Sequence, residues 1–244
     1  MSMQHQPGKP VSEPPVRGVV LFSGGIDSTT ALYWARNRYD DVAALTVDYG
    51  QRHRIEIRSG RKLLEKLGVE TALIRQDLTQ IGDSSLTDTD RPIPRFDTRE
   101  RLDREHPSTY VPFRNGIFLS LAAAWAEVNN RNYIICGFNI IDSPDYPDTR
   151  KPFVDAMEAA VNAGTRASRL RPFKILAPFI DKKKSEIIRI GLSLGADYSH
   201  SISCYSGAEI PCGHCSSCLL RREAWREAGH EDHLILRLKK EGRI

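Results

Sequence analysis

Short apolar runs alternate with helix-like stretches along most of the chain, and this alternation predicts an α/β protein. The apolar runs that are typical of buried strands lie at 19–22, 42–47, 71–74, 133–137 and 173–177. The stretches with helical character lie at 29–34, 55–67, 117–128, 153–163 and 182–194. Strands that alternate with helices in this way favour a doubly wound parallel sheet with helices on both faces.

The chain divides into a short polar leader and one long folded stretch. Residues 1–16 carry several prolines and no hydrophobic periodicity, so we expect a disordered leader there. The length of 244 residues suits a single α/β domain, which we expect over 17–244 together with a small C-terminal segment.

The turn after the first predicted strand has the composition of a phosphate-binding site. It reads Ser-Gly-Gly-Ile-Asp-Ser over 23–28 and runs directly into a predicted helix. The glycines allow close backbone approach, the helix N-terminus and hydroxyls favour an anion, and Asp27 suits a magnesium ion. Neither the Walker pattern nor the dinucleotide G-x-G-x-x-G is present. The turn predicts a nucleotide site, with an ordinary helix cap by Asp27 or Ser28 as the alternative.

Charged side chains follow other predicted strands, where ligands of open α/β sheets collect. Asp48 and Arg52 follow the second strand, Arg114 begins a helix, and Asp142 and Asp148 follow the fourth strand. Their alternatives are structural: a helix cap for Asp48, a solvated helix start for Arg52 and an exposed ion pair for Arg114.

Two further stretches bear on the expected site. One residue of the basic triple 182–184 is expected to turn inward, because the triple follows a strand end. The long polar stretch 79–107 predicts a lid over the substrate, since loops of that length in compact domains are usually functional.

Composition and charge exclude few classes of protein. Hydrophobic residues make up 40% and charged residues 27% of the chain, which is ordinary for a globular protein. The net charge of +4 fits an anionic substrate and does not by itself indicate nucleic-acid binding. No apolar run reaches membrane-spanning length, and the start of the chain lacks a signal-peptide core. We therefore expect a cytoplasmic protein without a membrane partner.

Four of the five cysteines fall within 204–218 and predict a metal site. Their spacing is C-x7-C-x2-C-x2-C, and short C-x2-C turns bring thiolates to one ion. Four sulfur ligands leave no open position, so a zinc ion here would be structural. An iron–sulfur cluster and reactive or disulfide-forming cysteines stay open as alternatives. The predicted ligands are Cys204, Cys212, Cys215 and Cys218.

Taken with their order, these motifs resemble a known enzyme family. The 23–28 turn is similar to the pyrophosphate loop of the ATP pyrophosphatase (PP-loop) superfamily, which splits ATP between its α and β phosphates. Over about 18–222 the chain resembles the 7-cyano-7-deazaguanine (preQ0) synthases of the queuosine pathway. The resemblance rests on FSGGIDSTT, DYGQRH, VPFRN, YPDTR, KSEI and CYSGAEIPCGHCSSC.

The resemblance implies a fold, a reaction and a set of partners. The fold would be adenine nucleotide alpha hydrolase-like, with a small C-terminal zinc-binding segment. The reaction would be that of a carbon–nitrogen ligase, which uses ATP to convert 7-carboxy-7-deazaguanine and free ammonia to the nitrile through an adenylated carboxylate and an amide. ATP, Mg²⁺ and Zn²⁺ would be the cofactors. A homodimer without a nucleic-acid partner is implied.

The same resemblance implies roles for individual residues. Asp27, Arg114 and Lys184 would be catalytic, and the four cysteines would hold zinc. Asp48, Arg52, Asp142 and Asp148 would face the substrate or a metal. The residues that would bind ATP are Phe22, Ser23, Gly24, Gly25, Ile26, Asp27, Ser28, Thr29, Thr30, Ala31 and Leu32.

Departures from the family pattern leave other acceptors open. Phe113 stands where the family usually has glycine, Pro144 replaces a serine, Asp145 a glycine and Thr149 a cysteine. These changes lie in the half of the site expected to bind the base. One alternative is a relative that uses the same adenylation to modify a protein or a tRNA. A nucleotide sensor that does not turn ATP over is another.

Overall fold

The computed structural model describes residues 15–98, 101–102, 108–141 and 146–244. The strands of this part form one parallel sheet in the order β3-β2-β1-β4-β5. Because the order reverses beside the first strand, the predicted doubly wound topology is confirmed. The strands are β1 (Arg17–Leu21), β2 (Asp41–Asp48), β3 (Glu70–Arg75), β4 (Tyr133–Ile135) and β5 (Lys174–Leu176).

Helices cover both faces of this sheet. The structure confirms the five predicted helices, four of them with shifted ends, and adds two C-terminal helices that the sequence did not predict. The first, second and fifth helices pack on one face, and the third and fourth on the other. The helices are α1 (Ile26–Arg36), α2 (Ile55–Leu67), α3 (Arg114–Val128), α4 (Lys151–Gly164), α5 (Lys184–Ser193), α6 (Ser216–Ala228) and α7 (His233–Lys240).

The central strands are apolar on both faces because each face is covered. In β1, Val19 packs into the core beneath α3 and α4, whereas Val20 packs beneath α1, α2 and α5. Both side chains are fully buried. This double burial explains why the strand is a continuous apolar run instead of an alternating one. Because all the strands are parallel, their carboxyl ends lie at one edge of the sheet, where the chain turns into the helices.

Backbone segments meet unusually closely around the turn between β1 and α1. Gly24 has a φ of +87°, and a Cβ at this residue would lie 2.7 Å from the carbonyl oxygen of Glu56. A Cβ on Gly60 of α2 would lie 3.1 Å from the Cα of Gly24. From the end of β4, a Cβ on Gly137 would lie 2.7 Å from the carbonyl carbon of Asp27. The turn is therefore held between α2 and β4 by glycines that carry no side chain.

The C-terminal helices extend the molecule beyond the sheet. Trp225 and Ala228 of α6 pack against Ile188 of α5 and against Tyr198. The buried guanidinium of Arg221 forms a bidentate ion pair with Asp232, at 2.5 and 2.7 Å. This ion pair joins α6 to the residue that caps α7.

No helix in the described part of the chain is both long enough and apolar enough to cross a membrane.

Replacement of Gly137 by alanine tests the close backbone approach. The added methyl group would meet backbone atoms of Asp27 and Ser28 at 2.7–2.9 Å, and backbone cannot rotate away as a side chain can. We expect Gly137→Ala to destabilise the protein by about 1–3 kcal/mol. Gly164→Ala is the matched control, because a Cβ there meets nothing within 4 Å. Chemical denaturation of both variants is the measurement, and equal stabilities would contradict the packing argument.

Candidate functional site

A cavity of about 300 Å³ opens at the carboxyl ends of β1, β2 and β4. This is the edge at which the strand order reverses, and ligands of open α/β sheets bind there. Its wall combines the turn after β1, the ends of the three strands, the first turns of α2, α3 and α5, and part of the C-terminal segment. Polar side chains on this wall include Ser23, Asp27, Ser28, His53, Glu56, Arg114, Asn115, Asn139, Lys184, Ser203 and Arg221.

The turn after β1 presents hydroxyls and a carboxylate to the cavity. The hydroxyls of Ser23 and Ser28 lie 3.1 Å apart, and the N–H of Gly25 donates to the Ser23 hydroxyl at 3.3 Å. Lys184 Nζ donates to Asp27 Oδ2 at 2.7 Å. Asp27 Oδ1 is buried and has no hydrogen-bond partner among the described residues. A free carboxylate oxygen at a helix N-terminus, beside a lysine, suits a phosphate group and its counter-cation.

The expected ATP-binding residues divide into two groups. Phe22, Ser23, Gly25, Ile26, Asp27 and Ser28 line the cavity, and Gly24 shapes the turn between them. The other expected residues lie deeper in α1. Thr29 is fully buried, and Thr30 shares a 2.6 Å hydrogen bond with the Tyr198 hydroxyl. Ala31 and Leu32 belong to the core. These four residues anchor the helix behind the turn and do not line the cavity.

Arg114 and Lys184 reach the same cavity from different helices, at the first residue of α3 and of α5. The Arg114 Nη1 donates to the Tyr49 hydroxyl at 3.2 Å. Its guanidinium also lies 5.5 Å from the centre of the Tyr49 ring and 5.9 Å from that of Phe118. The structure thus brings the three predicted catalytic side chains, Asp27 included, to one cavity.

Two of the predicted substrate residues, Asp48 and Arg52, contact loop residues outside the cavity wall. Asp48 accepts hydrogen bonds from Gly50 N–H and Arg54. Arg52 donates to the carbonyl oxygens of Thr89 and Arg91. Neither side chain lines the cavity, because each is used to fix a loop backbone.

Asp148 is likewise a structural residue in its observed contacts. It is 3% exposed, and its Oδ2 accepts a hydrogen bond from the N–H of Asn115 at 3.0 Å, in the first turn of α3. It satisfies a helix N–H that has no partner within the helix. Asp48, Arg52 and Asp148 therefore do not line the cavity in this structure, and their contact with the substrate or a metal stays a prediction. Asp142 lies outside the described residues.

Sequence reasoning missed Glu56, which forms a buried acid–imidazole pair with His53 on the cavity wall. Glu56 is 8% and His53 4% exposed, and His53 Nε2 lies 3.4 Å from Glu56 Oε1. Burial raises the pKa of Glu56 to about 8. Burial and then the charge of Arg114 lower the pKa of His53 to about 3. At neutral pH the carboxyl therefore carries its proton and the imidazole is uncharged. The sequence did contain one sign of this burial: Glu56 lies on the same face of α2 as Gly60 and Leu63, which are buried.

The four C-terminal cysteines converge on one point. Their sulfur atoms all lie within 4.8 Å of one another, and those of Cys212 and Cys218 are 3.9 Å apart. The N–H groups of Cys212 and Cys215 donate to cysteine sulfurs at 3.3 and 3.4 Å. A tetrahedron of thiolates at about 2.3 Å from one ion has edges of about 3.8 Å. The cluster is compatible with metal binding.

The cysteine segment also forms part of the cavity wall. Tyr205 follows Cys204 directly, lines the cavity and packs its ring on His53, with centroids 5.5 Å apart. Arg221 lies three residues after Cys218, lines the same cavity and donates to the Ser203 hydroxyl at 3.3 Å. A metal held by the cysteines would therefore also fix the side chains that close the cavity.

The described part of the long polar stretch packs against the body of the protein. Leu86 lines the cavity, Ile93 packs on the cysteine cluster, and the N–H of Phe96 donates to the carbonyl of His214 at 2.8 Å. Closure of this stretch over a substrate stays a prediction.

Two of the departures from the family pattern are visible in the structure. Phe113 adopts a left-handed conformation (φ +53°), is 54% exposed and places its ring against Phe153 and over Gly116. Its side chain is not part of the cavity wall, whereas Thr149 is. Pro144 and Asp145 lie outside the described residues.

Comparison with known proteins decides the family. The family model described as "Queuosine biosynthesis protein QueC" matches residues 17–229. The chain belongs to the QueC family. The match begins at β1 and extends past α6, so it includes the turn after β1, Lys184 and the four cysteines.

Members of the QueC family with curated names are similar over nearly their whole length. The chain is 45% identical to the 7-cyano-7-deazaguanine synthase of Thermoplasma acidophilum, over 89% of this chain and 91% of that protein. It is 42% identical to the enzyme of the same name from Psychrobacter cryohalolentis, over 88% of this chain and 87% of that protein. Among solved structures, NMN synthetase from Francisella tularensis matches with a TM-score of 0.47 and 18% identity, covering 95% of this chain and 79% of that one.

Removal of one cysteine tests the metal cluster. We expect Cys215→Ala to lose bound metal and to destabilise the protein by about 3 kcal/mol or more, because metal binding free energy is also folding free energy. Elemental analysis and thermal unfolding are the measurements. Cys136→Ala is the control, since this buried thiol lies outside the cluster and should leave the metal content unchanged. A stable Cys215→Ala protein with wild-type metal content would contradict the prediction that the four cysteines bind a structural metal.

Proposed function

We propose that this protein is a 7-cyano-7-deazaguanine synthase. It uses ATP to convert 7-carboxy-7-deazaguanine and ammonia to the nitrile, through an adenylated carboxylate and an amide. The observation that carries the proposal is the convergence of the β1 turn, Lys184 and Arg114 on one cavity, in a chain whose similar relatives bear that name.

The residues around the cavity match the demands of the first half-reaction. A carboxylate is a poor electrophile, and transfer of AMP to it with release of pyrophosphate creates a good leaving group. The N–H groups and hydroxyls of the turn hold the phosphates, and Lys184 neutralises charge beside them. Arg114 meets the second anion, the substrate carboxylate. Ammonia then displaces AMP to give the amide.

The second half-reaction reuses the same groups. A second ATP transfers AMP to the amide oxygen, and loss of AMP together with the protons on nitrogen gives the nitrile. The two activations differ only in the oxygen that attacks the α-phosphorus. One site that positions that oxygen and neutralises the leaving pyrophosphate therefore serves both steps.

Mg²⁺ and Zn²⁺ are the proposed ions. Asp27 would hold the magnesium through its unpartnered Oδ1, and the ion would neutralise phosphate charge. Zinc fits the cysteine cluster because four thiolates at single-tetrahedron spacing suit one ion. A multi-iron cluster would need its thiolates farther apart. Since all four positions are filled by sulfur, the zinc has a structural role.

The proposal also covers the cellular location, the partners and the domain organisation of the enzyme. Four converging reduced thiols suit the reducing conditions of the cytoplasm. The ligands are small molecules: ATP, the deazaguanine acid and ammonia. A homodimer is expected from the family resemblance, as is the lack of a nucleic-acid partner. Residues 17–244 are proposed to be one domain that includes the cysteine segment.

A product assay tests the function directly. Purified protein is incubated with ATP, Mg²⁺, ammonium and 7-carboxy-7-deazaguanine, and the products are resolved by mass spectrometry. We expect a product at the mass of the nitrile that depends on every component. Accumulation of an adenylate without amide or nitrile would instead indicate a different acceptor, such as a protein or tRNA amine. No nucleotide cleavage at all would indicate a nucleotide sensor.

Replacement of Asp27 tests the magnesium assignment. Asp27→Asn removes one charge from the proposed ligand and from the ion pair with Lys184. We expect the rate of product formation to fall about 100-fold and the Mg²⁺ concentration for half-maximal rate to rise. Asp155→Asn, at an exposed site on α4, is the matched control. An unchanged magnesium requirement in Asp27→Asn would contradict the assignment.

A further inference from the structure

One part of the cavity wall is rich in aromatic rings. Tyr49, Phe118, Tyr146 and Tyr205 line it together with His53. The Tyr49 and Phe118 rings lie 5.4 Å apart, and those of His53 and Tyr205 lie 5.5 Å apart. Aromatic side chains suit a flat heterocycle, because their faces and edges both pack favourably against another ring. This part of the wall therefore fits a purine-like base better than it fits a phosphate.

Two carboxyl side chains line the cavity in the part of the chain that the structure describes. Asp27 is engaged by Lys184 at the phosphate turn. Glu56 lies among the aromatic residues, with Oε1 3.4 Å from Gln51 Nε2 and 3.4 Å from His53 Nε2. No hydrogen bond joins Glu56 Oε2 to a described residue. Gln51 anchors the carboxyl group through one hydrogen bond to Oε1, so Oε1 keeps one acceptor position and Oε2 keeps both for a ligand.

The edge of a guanine-type base matches such a group. Its ring N–H and its exocyclic amino group are parallel donors, and a carboxylate offers two acceptors at the same spacing. We propose that Glu56 is the residue that recognises this edge of the deazaguanine substrate, an assignment that rests on the proposed function. Gln51 and His53 are positioning residues that hold the carboxyl group in place.

The burial of Glu56 gives this recognition a pH dependence. Without substrate, burial raises its pKa to about 8, so the group is protonated at pH 7. The groups that face it are Gln51, His53, Tyr49 and the cationic Arg114. Two donated hydrogen bonds favour the ionised form, so substrate binding releases a proton at pH 7. Affinity for the substrate therefore rises with pH up to about 8 and then levels off.

A protonated Glu56 also matches a different base. The adenine edge pairs one donor with one acceptor, which a neutral carboxyl group complements. The adenine of ATP is thus the competing occupant, and the two assignments predict different responses to substitution.

The test uses Glu56→Gln and the matched control Glu65→Gln, which alters an exposed residue of the same helix. Two acids are compared: the deazaguanine substrate and its analogue without the 2-amino group. For Glu56→Gln we expect KM for the substrate to rise about 10- to 100-fold, with little change in KM for ATP. We also expect its preference for the 2-amino substrate over the analogue to disappear. A purely structural role would weaken both acids equally.

Calorimetry in two buffers of different ionisation enthalpy gives a second readout. The wild-type protein should release nearly one proton on binding the substrate at pH 7, and Glu56→Gln should release none. Unchanged selectivity and unchanged proton release in Glu56→Gln would overturn the assignment. So would a rise in KM for ATP alone, which would place adenine at Glu56.

Failure of this assignment is distinguishable from failure of the proposed function. If the wild-type protein makes the nitrile and Glu56→Gln keeps its selectivity, only the Glu56 assignment falls. If the wild-type protein neither binds nor converts the deazaguanine acid, both fall.

Discussion

The close backbone approach at Gly24, Gly60 and Gly137 is the constraint on which the site depends. At Gly24 and Gly137 a Cβ would lie 2.7 Å from backbone atoms of a neighbouring segment, too close for a side chain, and at Gly60 it would lie 3.1 Å from the Cα of Gly24. The contact brings the end of β4 and the start of α2 against the turn after β1. Asp27, Asn139 and Glu56 line one cavity as a result. Sheet topology explains why the cavity lies at this edge, and the glycines explain why its walls are close together.

The C-terminal segment turns this open edge of the sheet into an enclosed site. Tyr205 and Arg221 complete the wall, Tyr205 directly after Cys204 in the chain and Arg221 three residues after Cys218. Arg221 is also held by its ion pair with Asp232, so the wall depends on the start of α7 as well as on the cysteine cluster. A structural metal at a distance from the phosphates can therefore influence catalysis through packing. The same arrangement couples folding of the last part of the chain to the shape of the cavity.

Local chemistry was predictable from the sequence, and the direction of individual side chains was not. The turn after β1 and the four cysteines were found because their function depends on short spacing in the chain. Asp48 and Arg52 contact loop residues and do not line the cavity, which a position after a strand does not reveal. Glu56 was missed because its significance comes from its burial beside Arg114, which is distant in sequence from α2. The apolar positions of α6 do follow helical spacing. The helix begins directly after Cys215 and contains Cys218, so the cysteine motif obscured its start.

The central claim is that the turn after β1 serves the adenylation of a carboxylate. The position at which ATP is cleaved tests this claim most directly. Phosphorus NMR of the reaction with 7-carboxy-7-deazaguanine and ammonium identifies the bond that breaks. The account predicts AMP and pyrophosphate, with two of each per nitrile formed and with formation dependent on the acid. ADP and orthophosphate as the products would contradict it, because they would mean that the turn serves γ-phosphoryl transfer.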